Sequence, residues 1–173
     1  WLLECGICRE LVTGDINEAA VTAVRETSKA NGYNVRSYVS DNLESIPTRE
    51  KFDVVVGNPP NYCNIQLSHR FGHLRNDLRP SDVDWKIHED FYDNIGPYLH
   101  RDSVMYISEV DPYSKDVYFW DELYDKRPQI PMNDFAAMAL RNGLKISKVI
   151  PYDWIGEPDP NGAILEVVPR NKQ

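Results

Sequence analysis

The sequence predicts an α/β protein: a mostly parallel sheet with helices on both faces and an antiparallel C-terminal edge strand. Three observations carry that reading. Strand-like and helix-like patterns alternate along the chain. The run Phe52-Asp53-Val54-Val55-Val56 is nearly continuously apolar, as in a parallel strand buried on both faces. The last two strand-like segments are separated only by the turn-rich stretch Gly156-Glu157-Pro158-Asp159-Pro160-Asn161-Gly162, so they should pair antiparallel.

Taken in order, Trp1 to Cys8 reads as the last turns of an amphipathic helix, and Leu11-Val12 opens a short strand that ends in Gly14-Asp15-Ile16-Asn17. From Glu18 to Ala30 the positions Ala20, Val21, Val24 and Thr27 recur at helical spacing, with Asn17 as N-cap and Asn31-Gly32 as the stop. Val35 to Val39 alternates as a strand and reaches Ser40-Asp41-Asn42, whereas Phe52 to Val56 runs straight into Gly57-Asn58-Pro59-Pro60. Asn61 to Lys86 has no clear period and carries His69, Arg70, His73, Arg75 and Arg79, which predicts a long surface loop. Ile87 to Leu99 sets Phe91, Ile95 and Leu99 four apart, a helix interrupted at Gly96-Pro97, and Ser103 to Ser108 is a strand ending near Glu109. An irregular, aromatic-rich segment spans Asp111 to Pro131. A helix from Asn133 to Arg141, stopped by Asn142-Gly143, then leads into strands Lys145 to Tyr152 and Ala163 to Val168.

The chain has 173 residues, of which 42% are hydrophobic and 27% charged, enough for one compact domain with its own core. No apolar run is long enough for a membrane span and no cleavable leader is evident, so the expected setting is soluble and cytoplasmic. With 19 Lys+Arg against 27 Asp+Glu the formal charge is −8, the wrong sign for holding a polyphosphate by bulk field. Extended nucleic-acid binding is therefore disfavoured. Three cysteines, Cys5, Cys8 and Cys63, form no paired framework and fit a reducing compartment.

In parallel sheets ligands bind beyond the carboxyl ends of the strands. The conspicuous polar residues of this chain fall at such ends: Asp15 and Asn17, Asp41 and Asn42, Asn58, and Glu109. A carboxylate at Asp15 can accept from both hydroxyls of a ribose; capping and the helix dipole alone would also place an Asp there. Asp41, with Asn42 beside it, can accept from an adenine amino group, or the pair can simply form a turn. At Asn58-Pro59-Pro60 two prolines fix the backbone and hold the preceding residue extended. The Asn side-chain oxygen and a rigid backbone carbonyl then make two convergent acceptors for a planar NH2 group, orienting its nitrogen lone pair toward an electrophile. The plain alternative is a Pro-Pro strand terminator.

Asp15-Ile16-Asn17 before a helix ending at Asn31-Gly32, then Asp41-Asn42, then Phe52 to Pro60, resembles class I S-adenosylmethionine-dependent methyltransferases. More narrowly it is similar to the branch with an Asn-Pro-Pro-(Tyr/Phe) motif, which includes protein-glutamine and adenine amino-methyltransferases. The resemblance covers about residues 9 to 60 and implies a Rossmann-like fold with S-adenosylmethionine as cofactor. It implies further that Asp15, with Ile16 and Asn17, binds the cofactor ribose and that Asp41 and Asn42 bind its adenine. Asn58, which also borders the cofactor, would hold the substrate nitrogen together with the Pro59 carbonyl. The family's first strand and glycine-rich turn have no counterpart here, and the resemblance implies a chain that is N-terminally incomplete. Asn61 stands where the branch has its aromatic residue, which appears one position later as Tyr62, a candidate to stack on a planar acceptor.

The implied activity is methyl transfer to an amide or amino nitrogen of a protein or small molecule by direct in-line displacement, with no metal. Adenine amino-methylation of a nucleic acid, a non-catalytic binding subunit of the same fold and a nicotinamide-dependent oxidoreductase are the alternatives. Cys5-Gly6-Ile7-Cys8 has half the spacing of a zinc site but no second ligand pair, and His69 and His73 lack the intervening Glu of a metalloprotease helix. His88-Glu89 is expected on a helix surface. Tyr113, Tyr118, Phe119, Trp120 and Tyr124 fit either an aromatic wall for the substrate or an insertion packed on the domain's own flank.

Overall fold

A computed structural model describes residues 2–60, 82, 85–110, 132–154 and 157–170. The chain divides after Glu50 into two compact units.

In the first unit, β1 (Leu11–Asp15), α1 (Glu18–Asn31) and β2 (Val35–Val39) form a β-α-β unit whose strands pair in parallel from Leu11↔Val35 to Asp15↔Val39. The start of α1 is set by Asn17, whose side-chain oxygen accepts from the N–H of Ala19 at 2.9 Å and of Ala20 at 3.4 Å, taking up donors the first helical turn cannot pair internally. It stops at Gly32, which has φ 67°, a left-handed conformation that costs glycine nothing. There the N–H of Gly32 donates to Lys29 O and that of Tyr33 to Ser28 O, closing the helix end. The same pairing recurs upstream: Ile7 N–H donates to Leu2 O, Gly6 N–H donates to Leu3 O, and Gly6 has φ 68°. Residues 2–8 form hydrogen-bonded turns that close as a helix end does, and no helix is formed over them where helical turns were expected. Val21, Leu43 and Ile46 are the buried apolar side chains of this unit.

The second unit carries β3 (Phe52–Gly57), α2 (Lys86–Asn94), a 3-10 turn at Gly96–Tyr98, β4 (Leu99–Val110), α3 (Met132–Arg141), β5 (Leu144–Trp154) and β6 (Glu157–Pro169). Its four strands run in the order β3-β4-β6-β5, with β3 parallel to β4 and β6 antiparallel to both its neighbours. This is the mixed α/β architecture expected; the antiparallel strand is the last one, β6, inserted between β4 and the edge strand β5. Met105, Ile107 and Glu109 of β4 and Ala163, Leu165 and Val167 of β6 are all at most 2% exposed. Buried side chains of α2 (Tyr92) and α3 (Phe135, Met138, Ala139) complete that core, and α3 packs on β5 and α2. Among the described residues no helix is long and apolar enough to cross a membrane.

Three local expectations are corrected. β3 is not buried on both faces: Val54 and Val56, two apart and so on the same face, are 56% and 73% exposed, since an apolar run specifies a strand without specifying its cover. The turn-rich stretch from Glu157 to Gly162 belongs to β6, which pairs as far as Trp154↔Glu157. Pro158 and Pro160 are tolerated because the pairing of β6 with β4 ends at Val110↔Gly162, and beyond it β6 has a neighbour on one side only. On α2 the buried stripe is His88, Tyr92 and Ile95 rather than Phe91, Ile95 and Leu99.

Candidate active site at the strand ends

In the first unit the two parallel strands bring Asp15 and Asp41 to neighbouring carboxyl ends. The N–H of Ser40 donates to the backbone O of Asp15 at 2.9 Å, fixing the ends level. Asp15 Oδ1 accepts from Asn17 N–H at 2.7 Å, so the carboxylate is braced by the same turn that starts α1. Asp15, Asn17 and Asp41 are exposed, and so is Ile16 at 42%. Asn42 adopts φ 54°, a left-handed conformation Asn tolerates well, turning the chain back over β1. Gly14 makes room for that turn: a Cβ there would stand 3.1 Å from Ile46 Cδ1 and 3.7 Å from Asn42 O. The result is two exposed acid side chains and an exposed apolar residue at one edge. These residues fit a ribose and a base: carboxylates accept from hydroxyls and an exocyclic amine, and Ile16 offers an apolar flank.

Behind those strands Arg36 donates to Glu50 through Nε (3.0 Å) and Nη2 (2.8 Å) and to Glu10 through Nη1 (2.9 Å), while Tyr38 Oη donates to Glu50 at 2.9 Å. Glu50 is buried, and chiefly the hydrogen bond from Arg36 holds its carboxyl below the ordinary range. This network shapes the unit.

In the second unit Asn58 follows β3 directly and is exposed, while Pro59 and Pro60 are half-buried. Gly57 pairs with Ile107 of β4, and a Cβ at Gly57 would stand 3.1 Å from Ile107 Cδ1, so glycine lets β4 pack closely where the Asn-Pro-Pro segment begins. Tyr62 and Asn61 lie outside the described residues, as do Cys63, His69, Arg70, His73, Arg75, Arg79 and the aromatic cluster from Tyr113 to Tyr124. Cys5 and Cys8 are free thiols. Among the described residues no group of three or more metal-ligating side chains is assembled.

The expectation that His88 lies on a helix surface is overturned. His88 is 2% exposed, with its Nδ1 2.6 Å from Asp82 Oδ2 and its Nε2 3.2 Å from both carboxylate oxygens of Glu109. Asp82 and Glu109 are themselves fully buried. Burial opposes charge on the imidazole, but the hydrogen bonds to Asp82 and Glu109 outweigh it and push its pKa up to about 9. Burial, against the pull of His88, raises that of the Glu109 carboxyl. The sequence signal was available in part: His88, Tyr92 and Ile95 share a helical face, and Glu109 is an acid near the end of β4. Their pairing across 21 residues was not.

The family model of the methyltransferase small domain matches residues 3–73. No curated protein matches the sequence. Among solved structures, ribosomal protein L11 methylase from Lactobacillus delbrueckii subsp. bulgaricus superposes with a TM-score of 0.56 at 14% identity, covering 95% of this chain and 60% of that one. LepI in complex with S-adenosylmethionine gives a TM-score of 0.59 at 13% identity, covering 96% of this chain and 39% of that one. The PH0226 protein from Pyrococcus horikoshii OT3 gives 0.58 at 14% identity, covering 97% and 74%. The chain thus spans 60% of the length of the L11 methylase it resembles.

Proposed function

We infer that this chain, which has the Rossmann-like fold of class I methyltransferases, is an S-adenosylmethionine-dependent N-methyltransferase acting on an amide or amino nitrogen of a protein or small molecule in the cytoplasm. The observation that carries the reading is Asn58-Pro59-Pro60 at the carboxyl end of a parallel strand in that fold, with Asn58 exposed. Asp15, with Ile16 and Asn17, is assigned to the cofactor's ribose, and Asp41 with Asn42 to its adenine. When bound, the cofactor supplies a methyl group on a sulfonium, an electrophile with a neutral thioether as its leaving group. The residues of this chain bind and orient. The Asn58 side-chain oxygen and the Pro59 carbonyl accept the two N–H bonds of the acceptor, aligning its lone pair, and Tyr62 stacks on the acceptor plane. Positioning dominates such a displacement, so no strong base is required.

The formal charge of −8 favours a protein or small-molecule acceptor over duplex nucleic acid. The test is a calorimetric titration of the protein, in its full encoded length, with S-adenosylhomocysteine, and with NADH in parallel. One-to-one binding of the first, lost in Asp15→Ala, is expected. Binding of NADH alone would replace the reading by an oxidoreductase, and binding of neither would favour a non-catalytic subunit.

A further inference from the structure

The cluster around His88, set beside the carboxyl end of β4, is a group of buried titratable side chains that this reading leaves unused. An ion pair in a core is seldom there for stability, since apolar groups of equal volume do as well. Buried titratable groups beside the carboxyl ends of strands are instead frequent in functional positions.

We propose that His88 is a positioning residue for the methyl transfer: clamped between Asp82 and Glu109, it sets the carboxyl end of β4 and, through Ile107 and Gly57, the direction in which Asn58 presents its amide. The proposal rests on the role given to Asn58 above.

Each link is a contact or a step along one strand. Asp82 accepts from the N–H of Ile87 at 2.8 Å and of His88 at 2.9 Å, so its carboxylate caps α2 and is itself rigid before it meets the imidazole. The ring cannot swing aside, because Trp85 stands edge-on to it at 5.1 Å between centroids and Phe135 of α3 lies at 5.3 Å. On its far side the imidazole meets both oxygens of Glu109 and fixes that side chain. Glu109 and Ile107, two residues apart on β4, point to the same buried face. Ile107 lies against Gly57, the residue before Asn58. Among the described residues, the charged and titratable groups facing His88 are Asp82 from the turn before α2, Glu109 from β4 and, near Glu109, Tyr92 from α2; α3 contributes the uncharged ring of Phe135. Tyr92 Oη is buried without a hydrogen-bond partner, so it does not compete for the Glu109 oxygens. In chain order Asp82 follows residues 61–81 and Glu109 precedes residues 111–131, so the clamp joins distant parts of the sequence at one point.

The test is nitrogen-15 NMR on the intact chain, following the Asn58 side-chain NH2, identified by its loss in Asn58→Ala, together with the His88 imidazole nitrogens from about pH 6 to pH 10. The expected result is one shared midpoint. In His88→Gln the titration of the Asn58 signal is lost while the amides of Asp15 and Asn17 are unchanged. In Glu109→Gln, which keeps an acceptor but removes the charge, both midpoints fall together by about 1 pH unit. A merely structural histidine would leave the Asn58 signal indifferent to its charge. The proposal is overturned by an Asn58 resonance that does not follow His88, or by a folded His88→Gln chain in which that resonance still titrates. Should His88→Gln fail to fold, the Glu109→Gln titration decides. Loss of S-adenosylhomocysteine binding is a separate result, which sinks the methyltransferase reading whether or not Asn58 follows His88.

Discussion

His88 Nδ1 lies 2.6 Å from Asp82 Oδ2 with both side chains buried, the shortest of the contacts that hold the imidazole. The same carboxylate oxygen also accepts from the His88 backbone N–H, so one residue is gripped by its main chain and its ring together.

That clamp gives stability a definite pH dependence. His88 holds its proton to about pH 9 in the folded chain against 6.5 for a free imidazole, and Glu109 is raised as well, so the folded state binds protons more tightly than the unfolded one. The His88 contribution is therefore fully present below about pH 6.5 and is lost as pH rises through about 9. Urea unfolding at a series of pH values should show this decline, and His88→Gln should flatten it. A wild-type midpoint that stays level from pH 7 to pH 10 contradicts the assignment of a charged His88.

Arg36 and Glu50 predict the opposite slope at the acid end. Arg36→Met leaves the buried Glu50 carboxylate with Tyr38 as its remaining hydrogen-bond donor among those described. The variant should be less stable than the wild type at neutral pH. Because the Glu50 pKa is lowered on folding, that contribution is present above the free value of 4.5 and lost as pH falls through the folded one, so the gap between variant and wild type should close in acid. A constant gap from pH 7 to pH 3 would mean that the loss is packing of the Arg36 stem.

Asn17→Ala removes the acceptor for the N–H groups of Ala19 and Ala20. About 1 kcal/mol of stability should go, with the denaturant slope unchanged. Asp15 loses a neighbour in the turn without losing its hydrogen bond, which comes from the Asn17 backbone. S-adenosylhomocysteine affinity should consequently drop much less than in Asp15→Ala, as paired calorimetric titrations would show.

Asn58→Ala separates binding from chemistry. The side chain is exposed, so the fold should be unaffected. Affinity for S-adenosylhomocysteine should stay within about twofold, while methyl transfer from labelled S-adenosylmethionine to a panel of peptide, amine and DNA acceptors should fall by about 10² or more, the usual worth of one well-placed polar group. Unchanged transfer to an acceptor that the wild type methylates would remove Asn58 from the site.

The sequence by itself determined the local signals and their order. Asn17 starts α1 and Gly32 ends it because capping and a left-handed glycine act within a few residues, and the alternation of strand and helix patterns already implied a mostly parallel sheet. Asp15, Asp41, Asn58 and Glu109 were legible for the same reason, since a polar residue at the end of a strand is visible in one dimension. Only the tertiary structure decided what lies across from what. Val54 and Val56 read as doubly buried and are exposed, because apolar character records a strand's preference and not its cover. His88 read as a surface residue, yet it is enclosed by Trp85, Phe135, Asp82 and Glu109. A histidine's burial and charge depend on partners contributed by other elements, and no periodicity within its own helix encodes them.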